Sequence, residues 1–205
     1  MRATALAPLA WAAAGGALYF LAYVGFGVWP LLFVFLTPLW HALETCDDDR
    51  VSRSLLAGIT FGAVAYAGGF SWLWRLVEVF LAGNVALGGA LWLAYGAWFA
   101  ASFAAYALVY RALRRRGDSV AIAGIAPLVL VEWLWPQIFP VNAGAALISA
   151  PAPLVQVADL GGPLLLTVLV ACGNLAVFAT WGWLRGARPR PRAARHASRA
   201  HAGGV

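Results

Sequence analysis

Few side chains in this sequence could do chemistry, and their types and spacing limit what that chemistry could be. Nucleophilic transfer needs a thiolate, hydroxyl or amine beside a group that activates it. The two cysteines, Cys46 and Cys172, lie far apart with neither CxxC nor metal-ligand spacing, and read as unpaired small residues. All 14 basic residues are arginine, so no lysine is present to serve as base or ammonium. Asp47, Asp48 and Asp49 offer three adjacent carboxylates, but on a connector between apolar runs they read as solvated charge rather than as a cation site. His196 and His201 fall in an arginine-rich tail and do not read as metal ligands. No metal and no cofactor is expected.

The polar groups that remain gather in two places. Glu132, Asn142, Gln156 and Asp159 lie on the stretch from Glu132 to Gly162, which is broken by Pro136, Pro140, Pro151 and Pro153 and by paired glycines. Proline removes a backbone donor and glycine loosens the chain, so this stretch reads as a loop capping a bundle. Arg75 and Glu78, flanked by Trp72 and Trp74, interrupt an otherwise uncharged region. These eight residues are expected to form a lipid- or partner-facing outer rim, with no catalytic residue among them. For Glu132 two partnerships are open, an ion pair with Arg75 or a cap on the loop.

The elements that position these residues must be membrane helices. The chain has 205 residues, 63% apolar and 11% charged, against about a quarter charged in soluble domains. The fold class is all-α, a polytopic transmembrane bundle of about six spans. Spans are expected near residues 5–24, 28–44, 55–74, 86–110, 119–135 and 162–184, forming one domain over 1–184. The amino-terminal residues have the makeup of a signal peptide, but the apolar run continues to Leu43 and reads as a retained span. Gly58 and Gly62 form a GxxxG whose small face, continued by Ala65 and Gly69, suits close helix packing. Gly83, Asn84, Gly88 and Gly89 read as a lip at the membrane surface. Residues 185–205, rich in Arg, Pro, Ala and Gly, read as a disordered basic tail.

Arginine placement sets the orientation. With six spans and both termini cytoplasmic, Arg75 alone falls outside, as the positive-inside rule requires. Trp29, Trp72, Trp74, Trp133 and Trp135 then meet the outer interface, and Trp40, Trp181 and Trp183 the inner one. The basic face reads as an anchor to anionic lipid rather than a surface for nucleic acid.

Five short motifs at span boundaries carry a resemblance: Gly25-Phe-Gly-Val-Trp-Pro30, Gly69-Phe-Ser-Trp-Leu73, Glu132-Trp-Leu134, Phe139-Pro140 with Gly144, and Pro153-Leu-Val-Gln156-Val-Ala-Asp159-Leu-Gly-Gly followed by Asn174. Together, and in this order, they resemble the membrane domain of the apolipoprotein N-acyltransferases up to about Leu184. Two positions depart from the family pattern, Trp135 for an arginine and Val141 for a tryptophan. The resemblance implies a bacterial inner-membrane protein of lipoprotein biosynthesis that meets phospholipid and diacylglyceryl lipoprotein from the outer leaflet. Family members carry a nitrilase-like domain with a Glu–Lys–Cys arrangement. Lacking lysine, these residues cannot supply it, so the resemblance implies a separate nitrilase-like subunit seated on this bundle. The alternatives are a non-catalytic lipid- or protein-binding scaffold, a truncated remnant of the family, or a small transporter. Against the transporter stand the single interior ionisable group, Glu132, and the lack of a visible inverted repeat.

Overall fold

The computed structural model describes residues 3–23, 26–46, 50–69, 72–80, 83–137 and 141–186. Gly25, Phe70, Ser71, Phe139, Pro140, the three adjacent aspartates and the tail beyond Gly186 lie outside these residues. The elements are α1 (Ala3–Ala22), a 3-10 turn (Trp29–Phe33), α2 (Leu36–Thr45), α3 (Val51–Gly69), α4 (Trp72–Phe80), α5 (Val85–Arg116), α6 (Val120–Leu134), a second 3-10 turn (Ala145–Ser149), α7 (Ala152–Val155) and α8 (Ala158–Leu184). The described residues form a helical membrane bundle with no strands. By length and composition α5 and α8 can each cross a bilayer, and α3 with α4 could make a third, bent crossing. The apolar helices Leu6–Ala22 and Val120–Leu134 are shorter.

Three expected spans differ from what forms. Residues 28–44 were expected as one helix but make a 3-10 turn followed by the ten-residue α2. The break would strand backbone groups, and Asn174 of α8 satisfies them. Its Oδ1 accepts the Leu36 N–H at 2.7 Å, and its Nδ2 donates to the Leu32 carbonyl at 2.7 Å. The expected third span ends early at Gly69, and α4 leaves at 50° to α3. The fourth span, expected over 86–110 behind a surface lip, runs on as α5 to Arg116. Asn84 is its N-cap, accepting the Leu87 N–H at 3.1 Å, and Gly88 and Gly89 are helical.

The GxxxG performs as its spacing implies. A Cβ on Gly58 would stand 2.4 Å from the Phe103 carbonyl oxygen, and one on Gly62 would stand 2.6 Å from the Ala100 Cα. Bare backbone thus lets α3 lie directly on α5. Beside this contact Tyr19, Phe35, Phe61, Tyr66 and Phe103 form a continuous aromatic core, with Phe61 and Phe103 centroids 4.4 Å apart. Trp40, expected at an interface, is fully buried in this core, where its indole N–H donates to the Tyr106 hydroxyl at 2.6 Å. Its polar edge found a protein partner and had no need of water.

Among the described residues, one end of the bundle holds Arg50, Arg53, Arg111, Arg114–Arg116 and Arg185, arginines that the sequence assigned inside. There Arg114 grips Glu44 in a fork, Nε to Oε1 at 2.8 Å and Nη2 to Oε2 at 3.1 Å. Tyr110 donates to the same carboxylate at 2.9 Å. This closes α2 onto α5 with a bidentate, charge-assisted contact.

Candidate functional site

At the opposite end Glu132 holds the cap. It sits in the last turn of α6, which Ser119 starts by accepting the Ile122 N–H at 3.2 Å, and which ends at extended Trp135 before Pro136. Glu132 Oε1 accepts the Ala143 N–H at 2.8 Å, and Oε2 accepts the Thr167 hydroxyl at 2.6 Å. The Thr167 oxygen in turn accepts the Gly144 N–H at 3.0 Å. One carboxylate therefore joins α6, the cap loop and α8. Of the two partnerships open to Glu132, the loop cap is the one formed.

Gly144 is the residue that permits the clasp. A Cβ there would stand 2.4 Å from the Pro163 carbonyl oxygen and 2.5 Å from the Thr167 nitrogen, both backbone atoms that cannot swing away. Gln137 ties the loop from its other end, donating to the Glu132 carbonyl at 3.3 Å and accepting the Val141 N–H at 2.5 Å. Sequence reasoning missed Thr167 and Gln137. A threonine inside an apolar span gives no signal of its own, since its hydroxyl can always bond back to its own helix.

Beneath the clasp a small cavity opens among α3, α5 and α6, lined by Tyr66, Ser102, Phe103, Leu128, Glu132 and Trp135 among others. Trp135 stands where the resembled family has an arginine. Its ring packs 5.1 Å from that of Trp98, and its indole nitrogen is buried without a hydrogen-bond partner among the described residues. The Trp98 indole donates to the Pro136 carbonyl at 2.9 Å, pinning the end of α6 to α5.

The second group of expected residues rides on α4. Leu73 and Val77 are buried, with Val77 seated over Gly88 of α5. Trp72, Trp74, Arg75 and Glu78 are all exposed, as are Val79 and Phe80 at 74% and 75%. A short helix with one buried stripe and a face mixing indoles with an ion of each sign suits an interfacial position. Asn142 is half-buried in the cap loop, and Gln156 and Asp159 are exposed at the junction of α7 and α8. The structure thus gathers Glu132, Asn142, Gln156 and Asp159 onto the cap and the elements beside it, and sets Trp72, Trp74, Arg75 and Glu78 on α4 against α5. Among the described residues no cluster of His, Cys, Asp and Glu could hold a metal ion.

Comparison with known proteins bears on this arrangement. A family model described as the apolipoprotein N-acyltransferase N-terminal domain matches residues 15–176. An apolipoprotein N-acyltransferase of Pseudomonas syringae pv. tomato is 29% identical over 161 residues, covering 74% of this chain and 30% of that protein. The chain therefore matches less than a third of the length of that relative.

Proposed function

Because the chain belongs to the apolipoprotein N-acyltransferase family, matching its N-terminal domain, we propose that it is the membrane half of a lipoprotein N-acylation system. It lies in the bacterial inner membrane with the clasp and α4 on the outer face and the arginine-rich end in the cytoplasm. On this reading the bundle crosses the membrane about six times. It seats a separate nitrilase-like catalytic subunit and lets a phospholipid and a diacylglyceryl lipoprotein approach from the outer leaflet.

The observation that carries this reading is the division of labour at the outer end. The Glu132 clasp fixes the cap between α6 and α8, while α4, packed on α5, leaves its indoles and Arg75 exposed. A fixed cap is a seat, and an exposed amphipathic rim is a surface along which lipid can be presented. The Arg75 guanidinium is suited to a headgroup phosphate, which its planar fork matches. On this reading the partner carries the Glu–Lys–Cys chemistry.

Purification in mild detergent from the native cells tests this reading. A nitrilase-like protein in stoichiometric amount is the expected companion, and a preparation without one counts against the proposal. A second reading is a scaffold that binds lipid or lipoprotein without taking part in acylation. On that reading Trp72→Ala leaves lipoprotein acylation untouched.

A further inference from the structure

Four side chains from three helices meet at the arginine-rich end, away from the clasp. Trp11 of α1 packs edge-on against His41 of α2 at 5.0 Å and against Trp181 of α8 at 5.4 Å. The His41 and Trp181 rings are stacked with centroids 6.0 Å apart, inclined by 13°. Arg185, which caps α8, lays its guanidinium over the Trp181 ring at 4.6 Å from the centroid. It is also near enough to His41 for its charge to act on the imidazole.

We propose that Trp11, His41, Trp181 and Arg185 form a headgroup site for an anionic phospholipid of the leaflet that meets this end of the bundle. Arg185 is exposed, and among the described residues no carboxylate pairs with it. Contact with the indole face fixes the plane of the guanidinium and leaves its edge donors for a phosphate. Half-buried His41 adds a ring N–H donor, and the two tryptophans wall the cluster with groups that suit the ester and glycerol region of a lipid.

Charge complementarity names the occupant. Among the described residues the same end carries Arg50, Arg53, Arg115 and Arg116 against Asp118, with Glu44 already held by Arg114, so its field favours an anionic surface. The cluster contains no carboxylate to meet the ammonium of a zwitterionic headgroup. The negative end of the α8 dipole also points here and disfavours a bare anion, so the site depends on Arg185.

Thermal unfolding of the purified chain in neutral detergent, titrated with phosphatidylglycerol, phosphatidylcholine or inorganic phosphate, tests the site. Arg185→Gln is compared with Arg116→Gln, which removes the same charge from an exposed residue outside the cluster. Phosphatidylglycerol is expected to stabilise the wild type and Arg116→Gln alike. In Arg185→Gln its apparent affinity falls about tenfold, the loss expected for a charge-assisted hydrogen bond. Phosphatidylcholine and inorganic phosphate give no comparable shift. Equal losses in the two variants would mean diffuse attraction only, and an equal shift from phosphatidylcholine would mean generic solvation by lipid. An equal shift from inorganic phosphate would mean a free-anion site. Each of these three results overturns the proposal.

Discussion

Thr167 donates its hydroxyl to Glu132 across a gap of 2.6 Å while accepting the N–H of Gly144, so that one side chain from the middle of an apolar helix relays the carboxylate to the cap. Removing Glu132 strands the Ala143 N–H and leaves the Thr167 hydroxyl only its long bond back to the Pro163 carbonyl at 3.4 Å. Glu132→Ala is expected to cost about 1.5–3 kcal/mol for each charge-assisted bond lost, and Glu132→Gln less, because an amide can still serve both partners. Thermal inactivation rates in detergent rank the two variants, and equal rates would contradict the clasp.

Gly144→Ala tests the closeness of the cap to α8. The added methyl meets backbone 2.4 Å away, so the loop or the helix must move. A loss of about 1–3 kcal/mol is expected. Gly96→Ala in α5 is the control, since nothing lies within 4 Å of its Cβ. That variant should be as stable as the wild type or more so, helix propensity favouring alanine by about 1 kcal/mol.

Asn174→Leu keeps the bulk but removes every polar atom. It leaves the Leu36 N–H and the Leu32 carbonyl buried and unpaired, each at a cost of about 1–3 kcal/mol. Faster hydrogen exchange at Leu36 and neighbouring amides is the specific sign of this loss.

These residues mark what was legible in the sequence and what was not. Helix ends were legible in part. The α6 helix stops just before Pro136, close to the expected 135, because capping and proline are local chemistry. By contrast, α5 runs on through Arg116 past the expected 110, and α8 begins at Ala158, ahead of the expected 162. Glu132 stood out because a carboxylate at the end of an apolar run must find a partner. The partner did not stand out, since Thr167 lies 35 positions away and no local pattern links the two. Trp40 misled for the same reason, its acceptor Tyr106 being 66 positions distant. The break between the 3-10 turn and α2 was hidden because Asn174, which makes it tolerable, lies on the last helix.

The fork between Arg114 and Glu44 predicts coupling at the arginine-rich end. Glu44→Ala and Arg114→Ala should each destabilise, and the double variant should lose less than the sum of the two. The difference is expected at about 0.5–3 kcal/mol. Strict additivity would show the contact to be idle.

Orientation is checked with single cysteines in a Cys46→Ala, Cys172→Ala background. Gln156→Cys should react with a membrane-impermeant thiol reagent in intact spheroplasts. Ser52→Cys, exposed at the arginine-rich end, should react only after permeabilisation. The reverse pattern would invert the bundle.

The most direct test is the amino terminus of a reporter lipoprotein, read by mass spectrometry in cells without this chain. The reporter should keep its diacylglyceryl group but carry a free α-amine. The wild-type chain should restore the third acyl group, and Trp72→Ala or Arg75→Ala should restore it only in part. A reporter fully N-acylated without the chain would contradict its place in the acylation system.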